Sequence, residues 1–597
     1  MAEPMAEPSP SGLRSLLAHA RRHWRAYSLG VLALAVVDLV DGVVAPWLQG
    51  AAFANLEREP DLRISCALIG AAFAAAALIQ LGLRYAWRRW FIGTADKIGG
   101  ELRAALFARI QALPAHRLER TPSGDLLSRM TNDLNDVRGA SGMGLLLVAD
   151  SALYLLFVLP QLIWLSPRLA AATALALPLV ALLVRWGGRI VHQRGTVVQE
   201  RLAALSAQLQ ETFSGARVVK AFAVEPREQA RFEELARGYL TGQMNLARFQ
   251  AGYSPSLGLV FDLAHLLAIG LGGREVLQGR LSLAELVVWL RAFDKVVWPM
   301  MAIGMVTGML QRGAAAQARI DQVLAEEPDP AAQPPPPPPG EPGLQGALRV
   351  EGLTFRYPGS DPARPPVLQD VSFQAAPGTL LAIVGPVGAG KSTLLSLLTR
   401  LYDPPPGTVF LDGRDLLAVP PGALRRDLAL VPQEAFLFST TIADNVALGR
   451  QGQLAQETLE EACQAARVHE EVLALPAGYR ALLGERGVNL SGGQRQRLTI
   501  ARALARGPRV LLLDDALAAV DVETEGEISR AVRERLGPTR VVVTHRISAV
   551  READHILVLD AGRIVERGTH EELLARGGLY ARLARLERQE SQAVAHG

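Results

Sequence analysis

Between residues 28 and 310 the chain carries six long apolar stretches, at 28–48, 65–85, 142–164, 167–186, 254–276 and 283–310. A stretch of about 20 apolar residues is long enough to cross a bilayer as a helix. Lipid offers no hydrogen-bond partners, so a spanning backbone must satisfy itself, and an α-helix does this within one segment. The first half of the chain is therefore expected to be a bundle of six membrane-spanning helices. A hydrophobic share of 49% beside a charged share of 20% agrees with one membrane half and one soluble half.

The breaks between the stretches alternate in size. LEREPDLR (56–63), LSPR (165–168) and LQGRLS (277–282) are short, whereas 86–140 and 187–253 are long, polar and rich in charge. Arg14, Arg21, Arg22 and Arg25 precede the first stretch, and Arg84, Arg88 and Arg89 close the second. Basic residues gather on the cytoplasmic side of a membrane protein. Both termini and both long segments are then expected inside the cell, with the short loops outside, in the cytoplasmic membrane. The long segments keep a helical period, as in GELRAALFARIQAL (100–113), and should extend the membrane helices inward. Ionisable residues occur within the stretches: Asp38, Asp41, Asp150, Asp262 with His265, and Asp294 with Lys295. A charge facing lipid is costly, so these side chains should face a polar path or one another. Asp294 and Lys295, being adjacent, read as partly self-compensating.

EEPDPAAQPPPPPPGEPG (326–343) favours an extended polyproline form and cannot build a core. It reads as a semi-rigid spacer. The expected organisation is a tail over 1–20, a transmembrane domain over 21–325, a linker over 326–345, a soluble domain over 346–588 and a tail over 589–597. The opening MAEPMAEPSPSG is acidic and Pro-rich, unlike a signal peptide. Cys66 and Cys463 form neither a metal-binding spacing nor a disulfide framework. A net charge of +3 gives no pull toward nucleic acid, and no such partner is expected.

From residue 348, short apolar runs alternate with helical segments, the pattern of an α/β domain. LLAIVGPVGAGKSTLLSLLTRL (380–401) reads as a strand, a glycine-rich turn and a helix. Gly385, Gly390, Lys391 and Ser392 fit the phosphate-loop pattern G-x-x-x-x-G-K-[ST]. The loop runs from Gly385 through Pro386, Val387, Gly388 and Ala389 to Gly390, and Thr393 follows the motif. Its backbone N–H groups can approach phosphate oxygens, and the helix N-terminus adds a positive dipole end. Lys391 would reach the β- and γ-phosphates, and the Ser392 hydroxyl would ligate Mg²⁺. RVLLLDD (509–515) supplies a buried strand with Asp514 at its end to hold the metal. ATP and Mg²⁺ are the expected cofactors. LSGGQ (490–494) makes a second nest, in which Ser491, Gly492, Gly493 and Gln494 open a helix. One phosphate loop plus one extra nest per chain invites a head-to-tail dimer, each ATP gripped by both subunits.

Taken together, the six stretches, the phosphate loop and LSGGQ resemble an ATP-binding cassette (ABC) exporter half-transporter over residues from about 20 to 588. The resemblance implies an exporter-type helical membrane domain fused to an α/β nucleotide-binding domain. It assigns Tyr357 to stacking on adenine, and Gln433 to sensing the magnesium and γ-phosphate. It gives His545 the γ-phosphate and Asp521 the loop that crosses to the partner, and matches GERG (484–487) to an exporter loop. It also implies two cytoplasmic coupling helices, within 120–137 and 214–232.

One position departs from the hydrolysing form of that pattern. The acid after the magnesium aspartate is usually a glutamate that orients the attacking water, and here it is Asp515. Phosphoryl transfer leaves the protein mainly positioning and electrostatics. Aspartate is one methylene shorter, and a misplacement of about 1 Å costs on the order of 100-fold in rate. The site built on this phosphate loop is expected to bind ATP well and hydrolyse it slowly. With LSGGQ intact, the resemblance points to the slow-site subunit of a heterodimer exporting amphipathic drugs or lipids. A slow homodimeric exporter or lipid flippase, and an ATP-gated regulatory or channel-like protein, are the competing readings.

Overall fold

The computed structural model describes residues 10–58, 62–174, 176–329, 343–448, 454–484, 487–517, 520 and 522–596. The chain divides into two compact units: Met1–Ile110 with Gly124–Glu326, and Gln111–Ser123 with Glu327–Gly597.

The first unit is helical. Among the described residues, four continuous runs are long and apolar enough to cross a bilayer: Trp24–Ala54, Ala67–Gln111, Ser123–Leu165 and Glu225–Leu277. They take up the expected stretches at 28–48, 65–85, 142–164 and 254–276. The stretch 167–186 falls on Pro167–Ala174 and the start of Ala176–Ser214, with residue 175 outside the described residues. The stretch 283–310 falls on Leu283–Asp294 and the start of Val297–Ala325, interrupted at Lys295 and Val296. That interruption is written in the sequence. Pro299 lacks an N–H and its ring clashes one turn back, so it suits the first turn of a new helix. Ser282 opens the preceding helix through a capping box with Glu285.

Polar groups inside this unit pair across helices. Lys295 Nζ donates to Asp41 Oδ2 at 2.8 Å, and the Tyr154 hydroxyl donates to the same oxygen at 2.9 Å. His265 Nε2 stands 2.7 Å from Asp294 Oδ1, and Trp298 Nε1 donates to Asp150 Oδ2 at 2.8 Å. Asp294 and Lys295 thus do not neutralise each other, as their adjacency suggests. Successive helical side chains point about 100° apart, so each finds a partner on a different helix. Asp41 lies in a π-helical turn, Val40–Val44, a feature that re-aims side chains.

The second unit holds two sheets. A six-stranded sheet has the order β10-β9-β3-β8-β7-β6, with β6 Leu428–Val431, β3 Leu380–Val384, β7 Val510–Asp514, β8 Thr539–Thr544, β9 His555–Asp560 and β10 Arg563–Gly568. Its neighbours pair in parallel except β9 with β10. Parallel strands are covered on both faces and so read as unbroken apolar runs. LLAIV and VLLL are such runs, and Leu381–Val384 and Val510–Leu512 are buried. A four-stranded antiparallel sheet has the order β2-β1-β4-β5, with β1 Leu348–Phe355, β2 Leu368–Ala375, β4 Val409–Leu411 and β5 Arg414–Asp415. Both sheets contribute to one core, in which Leu353 and Leu368 meet Leu394, Leu397 and Val541. This core fixes the carboxyl ends of β3, β7 and β8 side by side.

Candidate functional site

The glycine-rich turn leaves β3 and ends at the helix Lys391–Leu398. Gly388 and Gly390 take φ of +83° and +99°, backbone that a side chain would strain. A Cβ on Gly390 would also come within 2.8 Å of Leu368 Cδ2. Lys391 curls back over the turn, its Nζ donating to the carbonyls of Gly385 at 2.8 Å and Pro386 at 2.9 Å. Burial lowers the Lys391 pKa, and the nearby Asp515 and Asp514 carboxylates oppose that shift. An arriving phosphate would favour its charged form in the same way.

Around this turn lies a cavity of about 360 Å³. Its walls include Val387, Gly388, Ala389, Gly390, Lys391, Ser392 and Thr393 from the loop and helix, with Gln433, Asp514, Asp515 and His545 opposite. Residues spread across more than 150 positions of sequence thus converge as the motifs imply. The Ser392 side chain hydrogen-bonds Asp514, whose pKa is raised by burial and by Asp515, against the pull of Ser392 and Lys391. Gly385 and Pro386 lie behind the lysine that they hold. Tyr357 is not on the wall, but its hydroxyl stands 2.9 Å from Thr393 Oγ1. Val367, Val543 and Thr544 also line the cavity and were missed by motif reading. Thr544, directly before His545 in VVVTHR, was the one with a readable signal.

Asp515 sits at the turn after β7 with φ of +47°. Aspartate is one of the few side chains that enter this left-handed region readily. Thr544 Oγ1 donates to Asp515 Oδ1 at 3.1 Å, and His545 Nδ1 stands 2.9 Å from Oδ2. A carboxylate only accepts, so this contact places the imidazole hydrogen on Nδ1 and leaves Nε2 for the cavity. Both Asp515 oxygens are therefore engaged.

The LSGGQ residues stand apart from this cavity. Ser491 caps the helix Gly492–Leu504: its Oγ accepts from Gln494 N at 3.2 Å, and Gln494 Oε1 accepts from Ser491 N at 2.9 Å. This capping box satisfies two groups and leaves the Gly492 and Gly493 N–H groups at an exposed helix start, the arrangement that binds anions. Asp521 and residues 485 and 486 of GERG lie outside the described residues. Beside the first expected coupling stretch, 120–137, the helix Ala115–Arg120 belongs with the nucleotide-binding half and meets that stretch only at Arg120. In the second, the helix Ala216–Ala221 leaves Val218 exposed, as is Phe222 just after it.

Residues 27–300 match the family model described as the ABC transporter transmembrane region, and residues 368–518 match the ABC transporter model. The chain is 35% identical over 578 residues to the multidrug resistance-like ATP-binding protein MdlA of Escherichia coli (strain K12), covering 96% of each. It is 37% identical over 498 residues to an ATP-dependent lipid A-core flippase of Aromatoleum aromaticum, covering 83% of this chain and 81% of the flippase. The solved structure of a bacterial Atm1-family ABC exporter with ATP bound superposes with a TM-score of 0.75 at 28% identity, covering 96% of this chain and 98% of that one. The chain belongs to the ABC transporter family, with a helical transmembrane domain fused to an ATP-binding domain whose hydrolysis is coupled to transport.

Proposed function

We propose that this chain is one subunit of a heterodimeric exporter that moves amphipathic compounds, drugs or lipids, out across the cytoplasmic membrane, and that its own ATP site is the slow one of two. The multidrug and lipid names of its relatives support the substrate class. The basic residues before the first span and after the second support cytoplasmic termini.

ATP would lie with its triphosphate on the Gly385–Gly390 turn, its base toward Tyr357, and Lys391 turned from the loop carbonyls to the phosphates. Ser392, Asp514 and Gln433 present only oxygen and amide donors at one end of the cavity, a set that suits a hard cation such as Mg²⁺. When bound, Mg²⁺ neutralises charge on the β- and γ-phosphate oxygens. His545 Nε2 would face the γ-phosphate while Nδ1 stays on Asp515. The exposed Gly492 and Gly493 N–H groups would complete the partner's ATP site, and the partner's signature would complete this one. Closure of two such sites would switch the membrane cavity from inward- to outward-facing.

The observation that carries the slow-site reading is the engagement of both Asp515 oxygens by Thr544 and His545. A short acid tied to these two donors is held short of the roughly 2.6–3.2 Å that a general base needs to reach an attacking water. The test is the ATPase rate of the purified chain, alone and with a candidate second half-transporter. Little turnover alone, restored by the partner and lost when the partner's glutamate is replaced, supports the proposal. Brisk turnover by the isolated chain overturns it.

A further inference from the structure

The helix Ala115–Arg120 holds the adenine platform from two sides. The Tyr402 hydroxyl donates to Glu119 Oε2. Arg120 Nη2 donates to the carbonyl of Pro358, the residue after Tyr357. The His116 ring lies 6.1 Å from the Tyr402 ring. Tyr402 in turn meets Tyr357 edge to face, with centroids 5.0 Å apart and planes at 82°, and Tyr357 reaches Thr393 of the phosphate-loop helix. Phe355 closes the aromatic group, 5.3 Å from Tyr357 and 6.1 Å from Tyr402. Burial first, and then the Glu119 carboxylate, raise the Tyr402 pKa, so its hydroxyl keeps the proton that it donates.

We infer that Tyr402 is a positioning residue that makes the Ala115–Arg120 helix respond to the nucleotide base rather than to the phosphates alone. A purine stacked on Tyr357 fixes the orientation of that ring. The edge-to-face contact has an orientation preference of its own, so the Tyr402 ring is fixed as well. Its hydroxyl then holds Glu119 in one place. Without a base, Tyr357 keeps its Thr393, Phe355 and Tyr402 contacts but lacks the stacked ring that fixes its orientation, and the helix is held less tightly. The ligand chemistry read by this route is an aromatic base, and the readout is the order of a helix that follows the spanning run ending at Gln111 after a short turn. The inference rests on the ATP-driven exporter reading, because it concerns what ATP binding conveys to the membrane half.

The test uses the full chain in lipid nanodiscs, with hydrogen exchange read over residues 115–120. ATP should slow exchange there by roughly tenfold, about what one hydrogen bond to a charged group contributes. Inorganic tripolyphosphate, which fills the phosphate loop without a base, should leave it within about twofold. Tyr402→Phe keeps the ring packing but removes the hydroxyl. It should abolish the ATP effect while leaving ATP affinity within about twofold, and Glu119→Gln should act in the same direction but less, since an amide oxygen still accepts. Adding both changes should give no more than Tyr402→Phe alone. Equal slowing by ATP and tripolyphosphate overturns the inference, as does a Tyr402→Phe chain that responds like the wild type. A fall in ATP affinity parallel to the loss of protection would show Tyr402 to be merely structural, and also overturns it. Absence of ATP binding by the wild-type chain would instead defeat the exporter reading itself.

Discussion

Lengthening Asp515 to glutamate isolates the effect of reach from every other property of the site. The substitution adds one C–C bond, about 1.5 Å along the side chain. The present carboxylate is held 3.1 Å from Thr544 Oγ1 and 2.9 Å from His545 Nδ1, so one extra methylene carries it past both partners toward the γ-phosphate side. If a displacement of about 1 Å is worth on the order of 100-fold, single-turnover hydrolysis at this site should quicken by roughly 100-fold. The φ of +47° at this residue suits glutamate less well than aspartate and should cost about 1 kcal/mol of stability, which lowers the melting temperature without slowing the chemistry. The assay is quenched-flow hydrolysis of labelled ATP in the two-chain complex, with the partner's catalytic glutamate changed to glutamine so that only this site turns over. Asp515→Asn in the same background should slow an already slow site by less than tenfold. A rate for Asp515→Glu within twofold of the wild type, in a complex that still binds ATP, would refute the argument that reach is what limits the site.

Three further outcomes follow from contacts described above. Lys295→Met takes the lysine from the Asp41 carboxylate and leaves its Tyr154 hydrogen bond; it should destabilise the membrane half by about 1.5–3 kcal/mol, with most of the loss recovered in Asp41→Asn/Lys295→Met, read by thermal unfolding in detergent. Ser491→Ala removes the acceptor for Gln494 N, so the chain should lose about 1 kcal/mol as a helix cap while its own ATP affinity is unchanged and turnover at the partner's site falls. Glu525 is 4% exposed, has no hydrogen bond on either carboxyl oxygen among the described residues, and has its pKa raised by burial against the pull of Arg546. A raised folded pKa makes the ionised form the costly one, so the penalty appears as pH rises through the folded value and vanishes below the unfolded value of about 4.3. Glu525→Gln should therefore raise the melting temperature at pH 8 and leave it unchanged at pH 4, measured by scanning fluorimetry.

The phosphate loop was legible because its chemistry is local: glycines, Lys391 and Ser392 act within one strand–turn–helix, and the sequence order is the spatial order. The strands β3 and β7 were legible for a similar reason, since a strand buried on both faces leaves an unbroken apolar run. What the sequence did not show depends on which remote residue arrives opposite. The pairing of Lys295 with Asp41 spans 254 positions, and adjacency wrongly suggested Asp294. Thr544 binds Asp515 because β7 and β8 are neighbours in register, a fact of sheet order that no short motif encodes. The docking helix starts at Ala115, ahead of the expected stretch, because Pro114 takes extended backbone and caps the turn there. The interruption at Lys295 and Val296 was readable from Pro299, but a single apolar stretch hid it.

The Asp41–Lys295 pair also bears on how the chain enters the membrane. The two residues are separated by 254 positions, and synthesis proceeds at roughly 5–20 residues per second, so the lysine emerges on the order of 10 to 50 s after the aspartate. During that interval the first span carries Asp41 without its lysine partner, and Arg84 of the second run is the cation that reaches Asp38 and Asp41 sooner. An acid at the centre of a lone span costs about 2.5–3.5 kcal/mol to insert. The first helix should therefore linger at the insertion machinery, or sit shallow in the interface, until the sixth stretch is made. Assembly of this half is then ordered by charge: the last segment to be translated is the one that admits the first.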